Sequence, residues 1–287
     1  MKNLKPMLPG AFTSFNLILG FLASVNSFKA VEEGNWHLLY ISCWLIMLGI
    51  ILDGLDGKVA RLTHTSSDFG IEFDSLADII GFGVAPASIL YNFSRMYKPD
   101  FSGEHFSFTF LLPVFFLLMG AIRLAKFNTT ATTGSKSGFT GLPIPSAAGT
   151  TAAFIMLHIF LFNRQISGDT FLSSLKDNVS VFITGSLMFS PDILYGAVLI
   201  MAALCAILMV STFEYDIAFA FVFRGMGPKR SKAVFIGLFL FFLLYSELFF
   251  VSFGIAYLSS GILKFFLRKA FPSSEENDGY RSGDEHL

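Results

Sequence analysis

Charged residues are scarce in this chain of 287 residues: 14% of positions are charged, whereas ordinary soluble domains carry about 25%. Cysteine is scarcer still, with Cys43 and Cys205 each inside an apolar run. Two isolated cysteines exclude a disulfide framework and a zinc site built from closely spaced pairs, so we expect both thiols to be buried. The formal net charge of −1 says little about partners, and we expect no nucleic-acid partner.

Apolar residues are abundant instead. They make up 53% of the chain, which contains 36 Phe and has a mean hydropathy of +0.63. Stretches approaching the roughly 20 residues that cross a bilayer recur throughout. We therefore predict an all-α polytopic membrane protein, with its first six spans at 11–30, 37–60, 75–96, 108–127, 143–163 and 191–212.

The last apolar run, 233–266, is too long for one span. At about 1.5 Å per residue it would form a helix of roughly 50 Å, well beyond a hydrocarbon core of about 30 Å. A break at Ser246-Glu247 divides it into two spans, the first rather short, and brings the total to about eight. Two lysines precede the first span, as basic residues precede the apolar part of a signal peptide. However, Asn16 and Asn26 interrupt this span, and no clear cleavage site follows it. We expect it to be retained.

The basic residues orient these spans. An even number of spans puts both termini on one side, together with fifteen of the twenty Lys and Arg residues: Lys2, Lys5, Lys58, Arg61, Arg123, Lys126, Lys136, Arg224, Lys229, Arg230, Lys232, Lys264, Arg268, Lys269 and Arg281. By the positive-inside rule this side is cytoplasmic. We predict one transmembrane domain over 1–271 and a polar, disordered cytoplasmic tail over 272–287.

Four carboxylates interrupt the apolar pattern between the second and third spans. Asp53 and Asp56 are three residues apart and share a helix face, and Asp74 and Asp78 share another at a spacing of four. An eight-residue loop, 62–69, separates the two pairs. Helices joined by so short a loop are neighbours, so we expect the two acidic faces to meet near the cytoplasmic membrane surface.

Uncompensated carboxylates in a low dielectric cost several kcal/mol each, so some must be protonated or cations must lie among them. The shared faces offer oxygen ligands without Cys or His, which favours Mg²⁺ or Mn²⁺, and four carboxylates could bridge two such ions. A cation or proton path is the alternative, since intramembrane acids are common in transporters. The clustering at one helix-loop-helix, away from a midplane site, favours the metal site.

Eight residues in this region, together with the distances between them in the sequence, resemble the signature of the CDP-alcohol phosphatidyltransferases. The matching positions are Asp53, Asp56, Gly57, Ala60, Arg61, Gly70, Asp74 and Asp78. This resemblance implies that family's fold and a membrane-embedded enzyme that transfers a phosphatidyl group from a CDP-activated lipid to an alcohol and releases CMP. It also implies two bound Mg²⁺ or Mn²⁺ ions and a homodimer in a prokaryotic cytoplasmic membrane.

Within the family, the segments at 73–87, 123–128 and 138–149 resemble the branch that uses serine as the acceptor. The expected substrates are therefore CDP-diacylglycerol and L-serine, in the company of membrane lipids. Other acceptors, such as glycerol phosphate, inositol phosphate or choline, remain the alternative. The chain departs from this branch at two positions. Gly10 follows Pro9 where Asn is usual, and Lys126 stands where Arg is usual, which keeps the charge but loses the planar guanidinium.

The resemblance also implies roles for single residues. Asp53, Asp56 and Asp74 would hold the metals, and Asp78 would touch the second metal and act as general base. The expected CDP-lipid contacts are Gly57, Ala60, Arg61, Gly70, Thr13 and Asn16, although small and polar stripes also serve plain helix packing. Arg123 and Lys126 are candidates for binding the acceptor. Alternatively, they only follow the positive-inside rule and have no role in the site. The segment 138–145 is either a lid or a loop.

Overall fold

The computed structural model describes residues 7–63, 68–98, 108–132, 141–162, 190–215 and 228–270. Helices dominate this part of the chain. They are α1 (Met7–Glu33), α2 (Trp36–Thr63), α3 (Asp68–Asp78), a π-helical segment (Ile79–Val84), α4 (Ala85–Tyr97), α5 (Phe108–Thr132), α6 (Ile144–Phe162), α7 (Pro191–Val210), α8 (Pro228–Leu244) and α9 (Ser246–Ala270).

Seven helical stretches in the described ranges are long and apolar enough to cross a membrane. This confirms the prediction of an all-α polytopic fold, and the protein is an integral membrane protein. The remaining helix, α8, has 17 residues. At about 1.5 Å per residue it is roughly 26 Å long, a little less than a hydrocarbon core of about 30 Å. The break between α8 and α9 falls at Tyr245, next to the predicted position.

The third span differs from its prediction at its start. We expected a span from residue 75 and an eight-residue loop over 62–69, but α2 continues to Thr63 and α3 begins at Asp68. The predicted span started too late because it followed apolarity alone, and the predicted loop was too long at both ends. The helix face predicted for Asp74 and Asp78 does belong to α3. The π segment joins α3 to α4, so that one span runs over Phe69–Tyr97. The predicted tail, 272–287, lies outside the described residues.

The centre of the bundle is α6, most of whose side chains are buried. It packs against α2, α7 and α9, while α1 packs along α2 and α4. The N-terminal half of α6 is rich in small residues, which lets neighbouring backbones approach closely, as in other membrane helices. Both cysteines are buried in this core, as predicted.

The chain entering α6 is anchored to the end of α7. The backbone N–H of Gly141 donates to the carbonyl of Phe213 at 2.8 Å, and that of Leu142 donates to the carbonyl of Leu208 at 2.9 Å. Gly141 has a φ of +87°, and a Cβ there would overlap the carbonyl oxygen of Met209. Only glycine fits this turn without strain. The described part of the predicted lid or loop is therefore hydrogen-bonded to the end of α7, and its role stays a prediction; 133–140 lie outside the described residues.

Candidate metal centre

Three carboxylates meet where α2 and α3 face each other. One oxygen each from Asp53, Asp74 and Asp78 lie within 4.8 Å of one another. The spacing of four residues puts Asp74 and Asp78 on one side of α3, one turn apart, and Asp53 approaches them from α2. The predicted meeting of the two acidic faces is therefore confirmed for these three residues.

Asp56 lies beside this group and not in it. Its carboxylate is 6% exposed and accepts a hydrogen bond from the hydroxyl of Thr13 on α1. It still interacts electrostatically with Asp53 and Asp74. The fourth acid thus belongs to the same charge cluster but is oriented by a neighbouring helix. Its role as a metal ligand stays a prediction.

The π segment after Asp78 brings α1 unusually close. A Cβ at Gly20 would lie 2.6 Å from the Cα of Gly81, so the two backbones touch. The Asn16 side chain is 2% exposed and fills the space between Gly49 and Gly81; no partner for its amide atoms lies among the described residues. π-helical turns are rare and often mark functional sites. Here the segment packs α1 against the residues that follow the acid cluster.

A positive charge borders the cluster on α5. The guanidinium of Arg123 is partly buried and interacts electrostatically with Asp78 on one side and with Tyr257 of α9 on the other. One turn further along α5, the Asn128 amide donates to the Ser75 hydroxyl at 3.0 Å and ties α5 to α3. Of the two predicted acceptor-binding residues, Arg123 is the one that interacts electrostatically with Asp78, whereas the Lys126 side chain is exposed.

The other predicted CDP-lipid residues lie on α1, at the end of α2 and at the start of α3. Gly57, Ala60 and Arg61 belong to the last two turns of α2, and their side-chain positions lie outside the described part. Gly70 is exposed in the first turn of α3. Thr13 contacts the acid cluster through Asp56. Their contact with the CDP moiety stays a prediction.

Sequence reasoning missed a tyrosine pair contributed by the C-terminal part of the chain. Tyr257 of α9 packs against Tyr215, with ring centroids 5.4 Å apart and the rings tilted by 37°, and the Tyr215 ring lies against Gly261. Tyr257 and Gly261 are four residues apart, so they share a face, which was the available signal. Burial raises the pKa of the Tyr215 hydroxyl above its usual range, which keeps it a neutral phenol.

These residues fit a site for hard divalent cations. All donors at the three-acid group are carboxylate oxygens, the ligands that Mg²⁺ and Mn²⁺ prefer. One oxygen of Asp78 and one of Asp56 are buried, and no hydrogen-bond donor among the described residues reaches either. Buried carboxylate oxygens need a donor or a cation. Asp53, Asp74 and Asp78 are therefore the residues suited to hold an ion.

A bundle of membrane-spanning helices with an acid cluster where the second and third spans meet defines a class of integral membrane protein whose acids are compatible with divalent-cation binding. The chain belongs to the CDP-alcohol phosphatidyltransferase family, whose model matches residues 6–183. That range includes α1–α6 and all four acids, and excludes α7, α8 and α9.

Curated relatives align over part of the chain. It is 38% identical over 171 residues to the CDP-diacylglycerol–serine O-phosphatidyltransferase of Helicobacter pylori, covering 57% of this chain and 62% of that protein. It is 40% identical over 157 residues to the protein of the same name from Methanocaldococcus jannaschii, covering 54% and 64%. The archaetidylserine synthase of Methanothermobacter thermautotrophicus is 35% identical over 151 residues, covering 52% and 58%.

Proposed function

We propose that this protein transfers the phosphatidyl group of CDP-diacylglycerol to the hydroxyl of L-serine, giving phosphatidylserine and CMP. The observation that carries the proposal is the convergence of Asp53, Asp74 and Asp78 from the two halves of the family signature. The names of the relatives support serine as the acceptor, since each names a serine or a serine lipid.

Asp53, Asp74 and Asp78, with Asp56 beside them, are the residues that would hold two Mg²⁺ or Mn²⁺ ions. When bound, such ions neutralise phosphate charge and lower the pKa of an acceptor hydroxyl. Thr13 orients Asp56 through its hydrogen bond, in the way that outer-shell donors orient ligating carboxylates.

Asp78 is the acid best placed to receive the acceptor proton. It is the last residue of α3, before the π segment, and it interacts electrostatically with Arg123. We infer that the acceptor binds on the side of the cluster where Arg123 lies. In the proposed step the serine oxygen attacks the phosphorus that carries the diacylglycerol. The bond from that phosphorus to the bridging pyrophosphate oxygen breaks, CMP leaves with the electron pair, and the hydroxyl proton passes to Asp78.

Arg123 would recognise the carboxylate of serine. A guanidinium pairs with a carboxylate through two parallel hydrogen bonds, and its Nε has no partner among the described residues. Tyr257 borders Arg123 from α9 and would form the far wall of the acceptor site. Lys126, one turn away and exposed, is the weaker candidate.

The remaining assignments follow the charge pattern and the family. The excess of Lys and Arg on one side of the predicted spans supports a cytoplasmic position for the acid cluster. Gly57, Ala60, Arg61 and Gly70 lie toward that side, where a soluble cytidine group would enter. We assign the protein to a prokaryotic cytoplasmic membrane and to a homodimeric state, both on the family resemblance.

The purified protein tests this function directly. With CDP-diacylglycerol, Mn²⁺ and radiolabelled serine, we expect labelled phosphatidylserine and an equal amount of CMP. Parallel reactions replace serine with glycerol phosphate, inositol phosphate or choline. CMP release with one of these and not with serine would replace the acceptor. Absence of CMP with every alcohol, together with cation flux in vesicles, would favour a transporter.

A further inference from the structure

Two buried tyrosines lie beside Arg123, on segments that follow the part of the chain matched by the family. Tyr257 belongs to α9 and Tyr215 follows the end of α7, so both lie beyond residues 6–183. Tyr257 is 2% exposed and Tyr215 is 8% exposed. The pair therefore brings aromatic rings and phenol groups into the protein interior from outside the family match.

The Tyr215 ring is held on two sides. On the backbone side, the N–H of Gly141 donates to the carbonyl of Phe213 at 2.8 Å, and the Phe213 ring packs against that of Phe265 on α9 at 4.9 Å. On the other side, a Cβ at Gly261 would overlap the Tyr215 ring, so only a residue without a side chain leaves room for it. The Tyr215 hydroxyl is therefore directed to a fixed place.

That hydroxyl is buried, and no hydrogen-bond partner among the described residues reaches it. The Nε of Arg123 and one oxygen of Asp78 are in the same condition. Electrostatic interactions connect these groups in a row: Tyr215 interacts with Tyr257, Tyr257 with Arg123, and Arg123 with Asp78. Buried polar groups normally have partners, so this row is suited to a small ligand that itself carries several polar groups.

Serine has three polar groups: a hydroxyl, a carboxylate and an ammonium. In the proposed reaction the hydroxyl lies at Asp78 and the carboxylate at Arg123, which leaves the ammonium to be accommodated. The acids of the cluster would be engaged with the metal ions. A buried cation then needs a neutral hydrogen-bond acceptor or the face of an aromatic ring. A pair of tyrosines supplies both, because the phenol oxygen accepts hydrogen bonds and the ring face attracts a cation.

We propose that Tyr215 and Tyr257 form the ammonium subsite of the acceptor site. The Tyr215 oxygen accepts a hydrogen bond from the serine ammonium, and the Tyr257 ring lies against the same group. This inference rests on the proposed function. It makes the pair a determinant of acceptor choice, because glycerol phosphate and inositol phosphate have no ammonium. Choline has one, but its nitrogen carries no N–H to donate and it has no carboxylate for Arg123.

Tyr215→Phe tests the subsite by removing one oxygen and keeping the ring. Because the lost hydrogen bond is made to a charged group, the KM for serine should rise by about tenfold or more. The KM for CDP-diacylglycerol and the Tm in detergent should stay unchanged, since no described residue bonds to this hydroxyl. Tyr195→Phe is the matched control: Tyr195 is a buried tyrosine near the start of α7, stacked on Tyr97, and its variant should match the wild type. An unchanged KM for serine in Tyr215→Phe would overturn the proposal.

Two serine analogues distinguish the ammonium from the carboxylate. Ethanolamine keeps the ammonium, 3-hydroxypropionate keeps the carboxylate, and both are measured as competitors of phosphatidylserine formation. Tyr215→Phe should raise the inhibition constant of ethanolamine by about tenfold and leave that of 3-hydroxypropionate unchanged. Arg123→Gln should show the opposite pattern.

The remaining outcomes separate the subsite from the proposed function. A reversed pattern in Tyr215→Phe, or ethanolamine that does not compete with serine in the wild type, would refute the ammonium subsite and leave the proposed function standing. Wild-type protein that makes no phosphatidylserine would refute the proposed function and the subsite with it.

Discussion

The hydroxyl of Thr13 on α1 donates a hydrogen bond to the carboxylate of Asp56 on α2. This contact connects the first span to the acid cluster and leaves Asp56 with a fixed orientation beside Asp53 and Asp74. The first span thereby takes part in the site, although its acids, Glu32 and Glu33, lie at its other end.

Thr13→Val should weaken metal activation. It keeps the side-chain shape but removes the donor, and loss of an outer-shell partner typically costs about 10–100-fold in metal affinity. We expect the Mn²⁺ concentration for half-maximal CMP release to rise by about tenfold. Thr13→Ser keeps the hydroxyl and should stay close to the wild type. An unchanged Mn²⁺ dependence in Thr13→Val would show that the contact is structural only.

Asp78→Asn should abolish turnover and leave a folded protein. The amide cannot accept the acceptor proton, and general-base catalysis contributes about 100- to 10,000-fold. CMP release measures the loss, and a thermal melt in detergent checks the fold. Asp192→Asn makes the same change at an exposed carboxylate of α7, 3.5 Å from Lys98, and should keep full activity. Wild-type rates in Asp78→Asn would remove its role as the base.

Arg123→Gln should raise the KM for serine by about tenfold or more with little change in the KM for CDP-diacylglycerol. A hydrogen-bonded charge of this kind is worth about 1.5–3 kcal/mol. Arg123→Lys should recover part of the loss, because it restores the charge without the fork. The comparison is Lys126→Gln: if that variant raises the KM for serine and Arg123→Gln does not, the acceptor carboxylate binds at Lys126.

Gly20→Ala should destabilise the protein. Its new methyl would lie 2.6 Å from the Cα of Gly81, so α1 and the π segment must move apart. Overpacking of this kind costs about 1–3 kcal/mol, and we expect a lower Tm in detergent. Gly196→Ala places the same methyl in open space on α7 and should be neutral or slightly stabilising. Equal melting temperatures for the two variants would refute the close approach.

Much of the fold follows from apolar runs and the bilayer thickness. The break at Tyr245 was predictable because 233–266 is too long for one span. The start of the third span was not, since apolarity marks where the bilayer ends, whereas the helix that carries Gly70 and Asp74 continues into the polar zone.

The candidate site was predictable to the extent that its residues are close in sequence. Spacing brings Asp74 and Asp78 to one face, and a short connection brings α2 beside α3 with Asp53. Contacts between distant segments carry no such periodic signal. The Arg123–Tyr257 interaction depends on how α9 packs against α6, which spacing within one helix does not encode.

Chelation tests the central claim of a divalent-cation site at Asp53, Asp74 and Asp78 most directly. Protein stripped with EDTA and passed through a chelating resin should release no CMP from CDP-diacylglycerol and serine, and added Mn²⁺ should restore the rate. Electron paramagnetic resonance should show Mn²⁺ bound to the wild type and lost in Asp74→Asn. Full activity after stripping, or unchanged Mn²⁺ binding in Asp74→Asn, would contradict the account.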